Sequence, residues 1–542
     1  MKKRLLTMFF VLMLAVTATG LAACNPGLNP NDPQKLEIYI YNAGYGYKWA
    51  ENILAAFKEE SWVKAKYPEL KTSFDKDELS NRASELLGAP KKANKYEVIM
   101  GTGLERLLGP SSSVAELTDS VYGDEIPGEP GVLFRDKIIN SYLTSAAYIP
   151  SSSAQGPERY YQLNWASGMT GIIYNEDKLT ALGKSVPNTS DEFVRIMTDV
   201  KALNGSNSAY AQTYSFATYG ASAYAAYLHY TWWAQYQTAE EYMNFYMGID
   251  SETNSRSPAV FSQRGLLKSL EVIESFMHKD SGLTWLSPTP GREAYRETQN
   301  KVLLGTALFM ANGDWVDNEL AELRQGLIDG EGRADTVKMM RTPVISAIIE
   351  KTPTISDDAT LSNVVKAIDD GETGYAGVSA EDFATVLAAR RVVYTIGPGH
   401  NAVIPEYASG KAVAIDFLRY LATDKANEIY IRSTNGASLP FNYNLKVKNP
   451  QLFNQISPMQ QGRLDYFAAL DVNILPPASA FPLVRYGGLS VMASGNPITD
   501  FTGGTAKGSY ASVAEMAFNR EITYWTENNN SRWLNALIQS GI

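Results

Sequence analysis

Aromatic rings set beside glycines, with hydroxyl or planar polar groups close by, are the side chains of this sequence best placed to do chemistry. The loop "NAGYGYKW" interleaves Gly44 and Gly46 with Tyr45 and Tyr47. Glycine lets a backbone approach a ligand, and tyrosine rings can stack on its flat faces. "GTG" at Gly101 to Gly103 repeats the geometry, with the Thr102 hydroxyl as a donor. "LNWASGMTG" contributes Trp165, and "NGDW" contributes Asp314 and Trp315. The densest aromatic run, "TYGASAYAAYLHYTWWAQY", holds Tyr224, Tyr227 and Trp232. Such groups suit the holding of a neutral ligand with stackable faces. Plainer roles exist for each: the loop tyrosines can pack on the surface, Asp314 can be a helix N-cap, and most aromatics of the dense run can be core. His229, His278 and His400 lack ligand spacing, and H-E-x-x-H, G-x-S-x-G, GxxxxGK[ST] and EF-hand patterns do not occur. "DKDE" (Asp75 to Glu78) reads as a solvated loop. Neither a metal nor a cofactor is expected.

The single cysteine of the 542 residues, Cys24, carries a different chemistry. Lys2, Lys3 and Arg4 precede the apolar run "LLTMFFVLMLAVTA", and small residues lead to "LAAC". This is the layout of a secretory signal, too short for a comfortable membrane span. "LAAC" resembles the bacterial lipobox, in which the cysteine becomes the new N-terminus and carries lipid. A mature chain starting there has no spare thiol, hence no disulfide and no cysteine nucleophile. Losing Lys2, Lys3 and Arg4 moves the formal charge from −10 to −13. An acidic chain is repelled by phosphate backbones, which disfavours nucleic acid as a partner. The chain is long enough for at least two domains.

The elements that must position the candidate residues are α/β in pattern. "NPGLNPNDPQ" (Asn25 to Gln34) reads as a flexible tether. "KLEIYIYN" alternates apolar and polar residues and predicts a strand, followed by a glycine turn and a helix with Trp49, Ile53, Leu54 and Phe57 on one face. "YEVIMGTG", "GIIYN" and "GTALFMANGDW" are further strands, each leading to a turn or helix. Ser190 is the expected N-cap of a helix with Asp191 and Glu192 in its first turn. Residues 411–431 should be helical with Val413, Phe417, Leu418 and Leu421 buried, and the tail from Ser512 looks helical. In open α/β sheets, ligands bind at the carboxyl ends of strands, where the Gly-containing loops sit.

Four stretches in this order, "YNAGYGYKWAENILAAFKEE", "GIIYNEDKLTALGKSVPNTSDEF", "GTALFMANGDW" and "AVIPEYASGKAVAIDFLRYLATDKANEIYIRSTNGASLP", resemble the extracellular solute-binding proteins of bacterial ABC importers, in particular the carbohydrate-binding lipoproteins of Gram-positive bacteria. The resemblance implies a type II periplasmic-binding-protein-like fold: two α/β lobes, a hinge and an interlobe cleft. It implies a signal over 1–23, a tether over 24–34, lobe one over 35–162 and 394–435, and lobe two over 163–393 and 436–542. The stretches 210–247 and 350–390 look like insertions. The implied function is capture of a carbohydrate, an oligosaccharide, for delivery to a membrane permease by a monomer lipid-anchored outside the cell. Aromatic rings suit the C–H face of a sugar and planar polar groups suit its hydroxyls. By the same likeness Trp315 is a sugar platform, and Phe481 and Arg485 of "ASAFPLVRYGG" stand where relatives make a late ligand contact. The rival readings are a surface glycoside hydrolase, disfavoured because eight strand–helix units are lacking, and a binder of a non-sugar solute such as a peptide. If Cys24 is the lipid anchor, Cys24→Ser releases the protein into the medium or leaves it unprocessed. A mutant that still fractionates with membranes as mature protein contradicts this.

Overall fold

The computed structural model describes residues 28–42, 44–89, 95–110, 112–150, 157–204, 213–219, 224–289 and 292–542. Cys24 and the expected signal lie outside the described residues. Ten strands, numbered here in chain order, form two five-stranded sheets. The first sheet holds Lys35–Tyr41 (β1), Lys71–Asp77 (β2), Val98–Thr102 (β3), Leu163–Asn164 (β4) and His400–Val403 (β10) in the order β2-β1-β3-β10-β4. β1 runs parallel to β2 and β3, while β10 is antiparallel to β3 and β4. The second sheet holds Thr170–Asn175 (β5), Tyr214–Thr218 (β6), Thr284–Leu286 (β7), Ala307–Gly313 (β8) and Val337–Met340 (β9) in the order β9-β5-β8-β6-β7. Here β6 is parallel to β7 and β8, and β5 is antiparallel to β8 and β9.

Each sheet anchors one lobe, and the chain passes between them three times. The first crossing follows β4, so Leu163 and Asn164 sit in the first sheet, just beyond the expected boundary at 162. The second precedes β10, and the third comes after Ser438, since residues up to Asn449 still bond Lys137, Asp424 and Glu428 of the first lobe. The crossings are tied together: the Ser167 amide donates to the Ser438 carbonyl at 2.8 Å and the Thr170 amide to the Tyr394 carbonyl at 3.3 Å.

The alternation in β1 predicts one buried and one wet face, yet both faces are covered. Lys35 and Glu37, expected outside, are buried. Their charges are matched locally: Lys35 Nζ lies 2.9 Å from Glu37 and 3.1 Å from Glu97, and donates to the Lys95 carbonyl at 2.6 Å. The helix Lys48–Glu59 buries Trp49, Ile53, Leu54 and Phe57 as its spacing predicts. Val413, Phe417, Leu418 and Leu421 are likewise buried.

Several expectations are corrected. The cap of the helix Ser190–Asn204 is Thr189, whose hydroxyl accepts from the Glu192 amide at 3.2 Å, while the Ser190 hydroxyl turns to Ser346. The end of the expected tether is docked on the first lobe: Asp32 pairs with Lys71 at 2.8 Å and accepts at its carbonyl from Ser409. The C-terminal helix Val513–Gln539 is broken at Glu527, after which Asn528, Asn529 and Asn530 are all left-handed.

Breaking one partner of a buried ion cluster strands the others, which costs about 3–5 kcal/mol. Lys35→Met should therefore destabilise the protein by about that amount in urea unfolding. Burial already raises the Glu97 carboxyl above its usual range. A folded-state pKa above the unfolded one favours the folded chain as pH falls. Part of the lost stability should thus return between pH 7 and pH 5.

Candidate functional site

Between the lobes lies a cavity of about 800 Å³. Carboxyl ends of parallel strands converge on it from both sheets. From the first lobe come Tyr41 and Asn42 at the end of β1, Glu78 after β2, and Thr102 and Gly103 at the end of β3. From the second come Tyr219 after β6 and Trp315 after β8. The hinge side supplies Tyr394, Thr395 and His400, and the C-terminal segment closes one end with Pro477 and Ser479. This is where an α/β sheet of mainly parallel strands presents its loops to a ligand.

The floor of the cleft is a polar cluster that joins the lobes. The Tyr45 hydroxyl donates to Asp314 Oδ1 at 2.9 Å across the cleft. Asp314 Oδ2 is 3.1 Å from Arg463 Nε, with both side chains 1 % exposed. Gln460 donates to the Asp314 carbonyl at 2.9 Å, and Arg463 donates to Gln460 Oε1 at 2.8 Å and to the Gly436 carbonyl at 3.1 Å. Burial pushes the Asp314 carboxyl above its usual range, against the pull of Arg463 and the Tyr45 hydroxyl. Burial also holds the Tyr45 phenol well above its usual value, so it stays a donor. Glycines make room for the pair. A Cβ on Gly168 would lie 2.3 Å from the Tyr45 hydroxyl, and one on Gly44 would lie 2.7 Å from the Trp315 ring. Asn318 adds a second interlobe bond, to the Gly44 carbonyl at 2.8 Å. Gly46, with φ +68°, turns the loop that carries Tyr45.

Of the residues singled out in the sequence, Gly44, Tyr45, Gly46, Thr102, Tyr224 and Trp315 line the cavity, as does Tyr227. Two of them act chiefly as interlobe contacts. Tyr45 is 3 % exposed and Trp315 4 %. The Trp315 ring folds back over Gly313, where an added Cβ would meet it at 1.9 Å, and its other end lies against Gly44. It meets Tyr45, Tyr224 and Tyr227 at steep interplanar angles. Its surface is thus committed to packing, and the open platform expected of it is not seen. Asp314 is neither a ligand group nor an N-cap, since its carboxyl goes to Tyr45 and Arg463.

The other candidates sit away from the cavity. Trp165 is buried and stacks on Trp49 with centroids 5.2 Å apart, wedging the first lobe at the hinge. Trp232 is fully buried and donates to the Pro343 carbonyl at 2.9 Å. Phe481 stacks on Tyr246 at 5.6 Å, and the Arg485 guanidinium is used by the carbonyls of Ser479 and Ala480. Tyr47 faces outward under Lys76, 3.3 Å from its ring centroid.

Sequence reasoning missed Tyr219, Tyr295, Tyr394, Glu105, Glu319 and His400, which all line the cavity. Tyr219 alone carries the signal of the residues that were found, position just after a strand end, while His400 opens β10. Glu105 is buried and accepts from Asn401 at 3.0 Å, and desolvation raises its carboxyl. Desolvation takes the His400 imidazole down to about 4, so it is neutral at pH 7. Glu319 accepts from Gln299 at 2.6 Å, and burial lifts its carboxyl to about 7. Among the described residues there is no group of three or more His, Cys, Asp or Glu side chains arranged to hold a metal. No helix of the described residues is long and apolar enough to cross a membrane.

A hydrogen bond to a charged group contributes about 1.5–3 kcal/mol. Tyr45→Phe should remove that much from the contact between the lobes, and Gly168→Ala should push the same pair apart. Both variants should show a larger ligand-free radius of gyration by solution scattering than the parent. An unchanged radius in both would mean that the pair does not hold the lobes together.

No protein-family model and no curated protein matches this chain. Solved structures do align over almost its whole length. A Streptomyces coelicolor protein described as a "probable secreted solute-binding lipoprotein" aligns with a TM-score of 0.56 at 11 % identity, covering 91 % of this chain and 99 % of its own. The sugar-binding protein MalE of Xanthomonas citri aligns with a TM-score of 0.54 at 15 % identity, covering 90 % and 96 %. An ABC substrate-binding protein of Listeria monocytogenes in complex with cycloalternan aligns with a TM-score of 0.54 at 10 % identity, covering 91 % and 99 %. Together with the two sheets, the three crossings and the cavity between them, these alignments establish the fold as the two-lobed periplasmic-binding-protein-like architecture.

Proposed function

We propose that the protein is an extracytoplasmic solute-binding receptor that captures a carbohydrate in the interlobe cavity and passes it to an ABC importer. The observation that carries this reading is the cavity itself, walled by tyrosines and Trp315 at the carboxyl ends of strands from both lobes. Two of the aligned structures, the Xanthomonas and Listeria proteins, are sugar binders by description, and the second is an ABC component. A volume of about 800 Å³ suits an oligosaccharide better than a single ring.

The mechanism is a shift in lobe position. A ligand that touches both walls binds the closed form better than the open one, and the equilibrium moves by that difference alone. Tyr45–Asp314 and Asn318–Gly44 join the lobes directly, so their strength biases that equilibrium. The receptor is tethered to the outer face of the cell membrane through lipid on Cys24 and acts as a monomer. The lobes comprise approximately 35–164 with 394–450, and 165–393 with 451–542.

A thermal-shift screen over neutral oligosaccharides tests the reading. A ligand at one hundred times its dissociation constant adds about 2.7 kcal/mol. At least one oligosaccharide should raise the melting temperature and then give a saturable calorimetric isotherm without product release. Turnover above the buffer control would identify an enzyme instead.

A further inference from the structure

At one end of the cavity four rings gather around one carboxyl. Tyr219 and Tyr224 meet edge to face, with centroids 5.2 Å apart at 87°. Tyr295 stands 6.2 Å from Tyr219, and Trp315 stands 6.0 Å from Tyr224. Glu319 lies one helical turn after Trp315, its amide donating to the Trp315 carbonyl at 3.2 Å, and it lines the same cavity. We propose that this corner binds a cationic amine, so that the carbohydrate taken up carries an amino group seated on Glu319 among the rings of Tyr219, Tyr224 and Tyr295. The proposal rests on the receptor reading above and names its ligand class.

The charge pattern supports the assignment. Of the groups lining the cavity, Glu105 and Glu319 are its inner carboxyls, and His400 is neutral at pH 7. Glu105 has a buried guanidinium nearby in Arg485, whose charge draws its carboxyl down. Among the described residues Glu319 is served by Gln299 and, from the exposed rim, by Arg296, which lies 5.9 Å from the Tyr295 ring centroid. The groups facing Glu319 are thus Arg296 and Gln299 from the helix Arg292–Leu303, and the phenols of Tyr219 and Tyr224. Burial lifts its carboxyl to about 7, so the groups that face it only partly compensate its charged form. A ligand ammonium supplies that charge, and aromatic faces attract the same ion through their quadrupoles. A neutral hydroxyl supplies neither, and a uronic acid adds repulsion.

The test is calorimetry at pH 7 with short glucosamine oligomers, their N-acetylated counterparts, galacturonic acid oligomers and choline. Glucosamine oligomers should bind at least ten-fold more tightly than the acetylated series, and galacturonic acid oligomers should not bind. In Glu319→Gln, checked for folding by its melting temperature, the preference should vanish. Tyr295→Leu, which removes a half-exposed ring, should weaken the amine several-fold and covers the case in which the first variant is unstable. Equal or tighter binding of the acetylated series overturns the amine assignment and leaves the sugar receptor standing. Binding of choline without any sugar overturns the carbohydrate reading and, with it, the amino-sugar ligand. Absence of binding by every probe overturns the amine assignment, and the neutral-oligosaccharide screen then decides the receptor reading by itself.

Discussion

A carboxylate buried between two lobes must be partnered or it will not stay ionised there. Asp314 is such a group, and much of the architecture around the cleft follows from its needs. Tyr45 arrives from the loop after the first strand, Arg463 from a helix near the C-terminus, and the Met169 carbonyl takes the Asp314 amide at 3.0 Å from the hinge. Gly168 is bare because a side chain there would occupy the space of the Tyr45 hydroxyl. Tyr142 completes the frame by accepting the Gly168 amide at 3.0 Å. Segments far apart in the chain thus meet at one charge, which fixes how the lobes can approach.

That constraint divides the aromatic residues into two populations. Trp49, Trp165 and Trp315 pack against one another's neighbours and against the hinge, where their volume sets the spacing of the lobes. Tyr219, Tyr224, Tyr227, Tyr295 and Tyr394 stay partly open and form the wall. Tryptophan is the larger and more apolar ring, so burying it contributes more to cohesion. Tyrosine offers a ring and a hydroxyl together, which suits a surface that must be wet in one state and covered in the other.

The sequence made the scaffold legible where periodicity and strand-end glycines carry information. The strand–loop–helix opening, the buried stripe of Lys48–Glu59 and the strand before Asp314 are all where the pattern puts them. What periodicity cannot see is the far side of a residue. Lys35 and Glu37 look solvent-facing by alternation, but that side is covered and the Lys35 ammonium sits between the Glu37 and Glu97 carboxyls. Trp315 stands at the right place for a ligand platform, yet Gly313 and Gly44 invite its ring to fold inward. Glu319 was invisible because an acid in a helix is ordinarily solvated, and only the packing of Gln299 and the tyrosines makes it unusual. Half of the site was readable because strand ends are local, and the rest depended on contacts between lobes.

The position of β10 has a consequence for how the chain reaches its native state. Asn401 of that strand bonds Glu105 across 296 positions of sequence, and β10 is the link between β3 and β4. Until it arrives, β3 has an unpaired edge, and the second lobe can assemble while the first is still open. Bringing such distant partners together is slow, and an unpaired apolar strand is prone to pair with the wrong chain. The part of that interval from β5 to β9, which builds the second sheet, therefore determines how long the first remains at risk of aggregation.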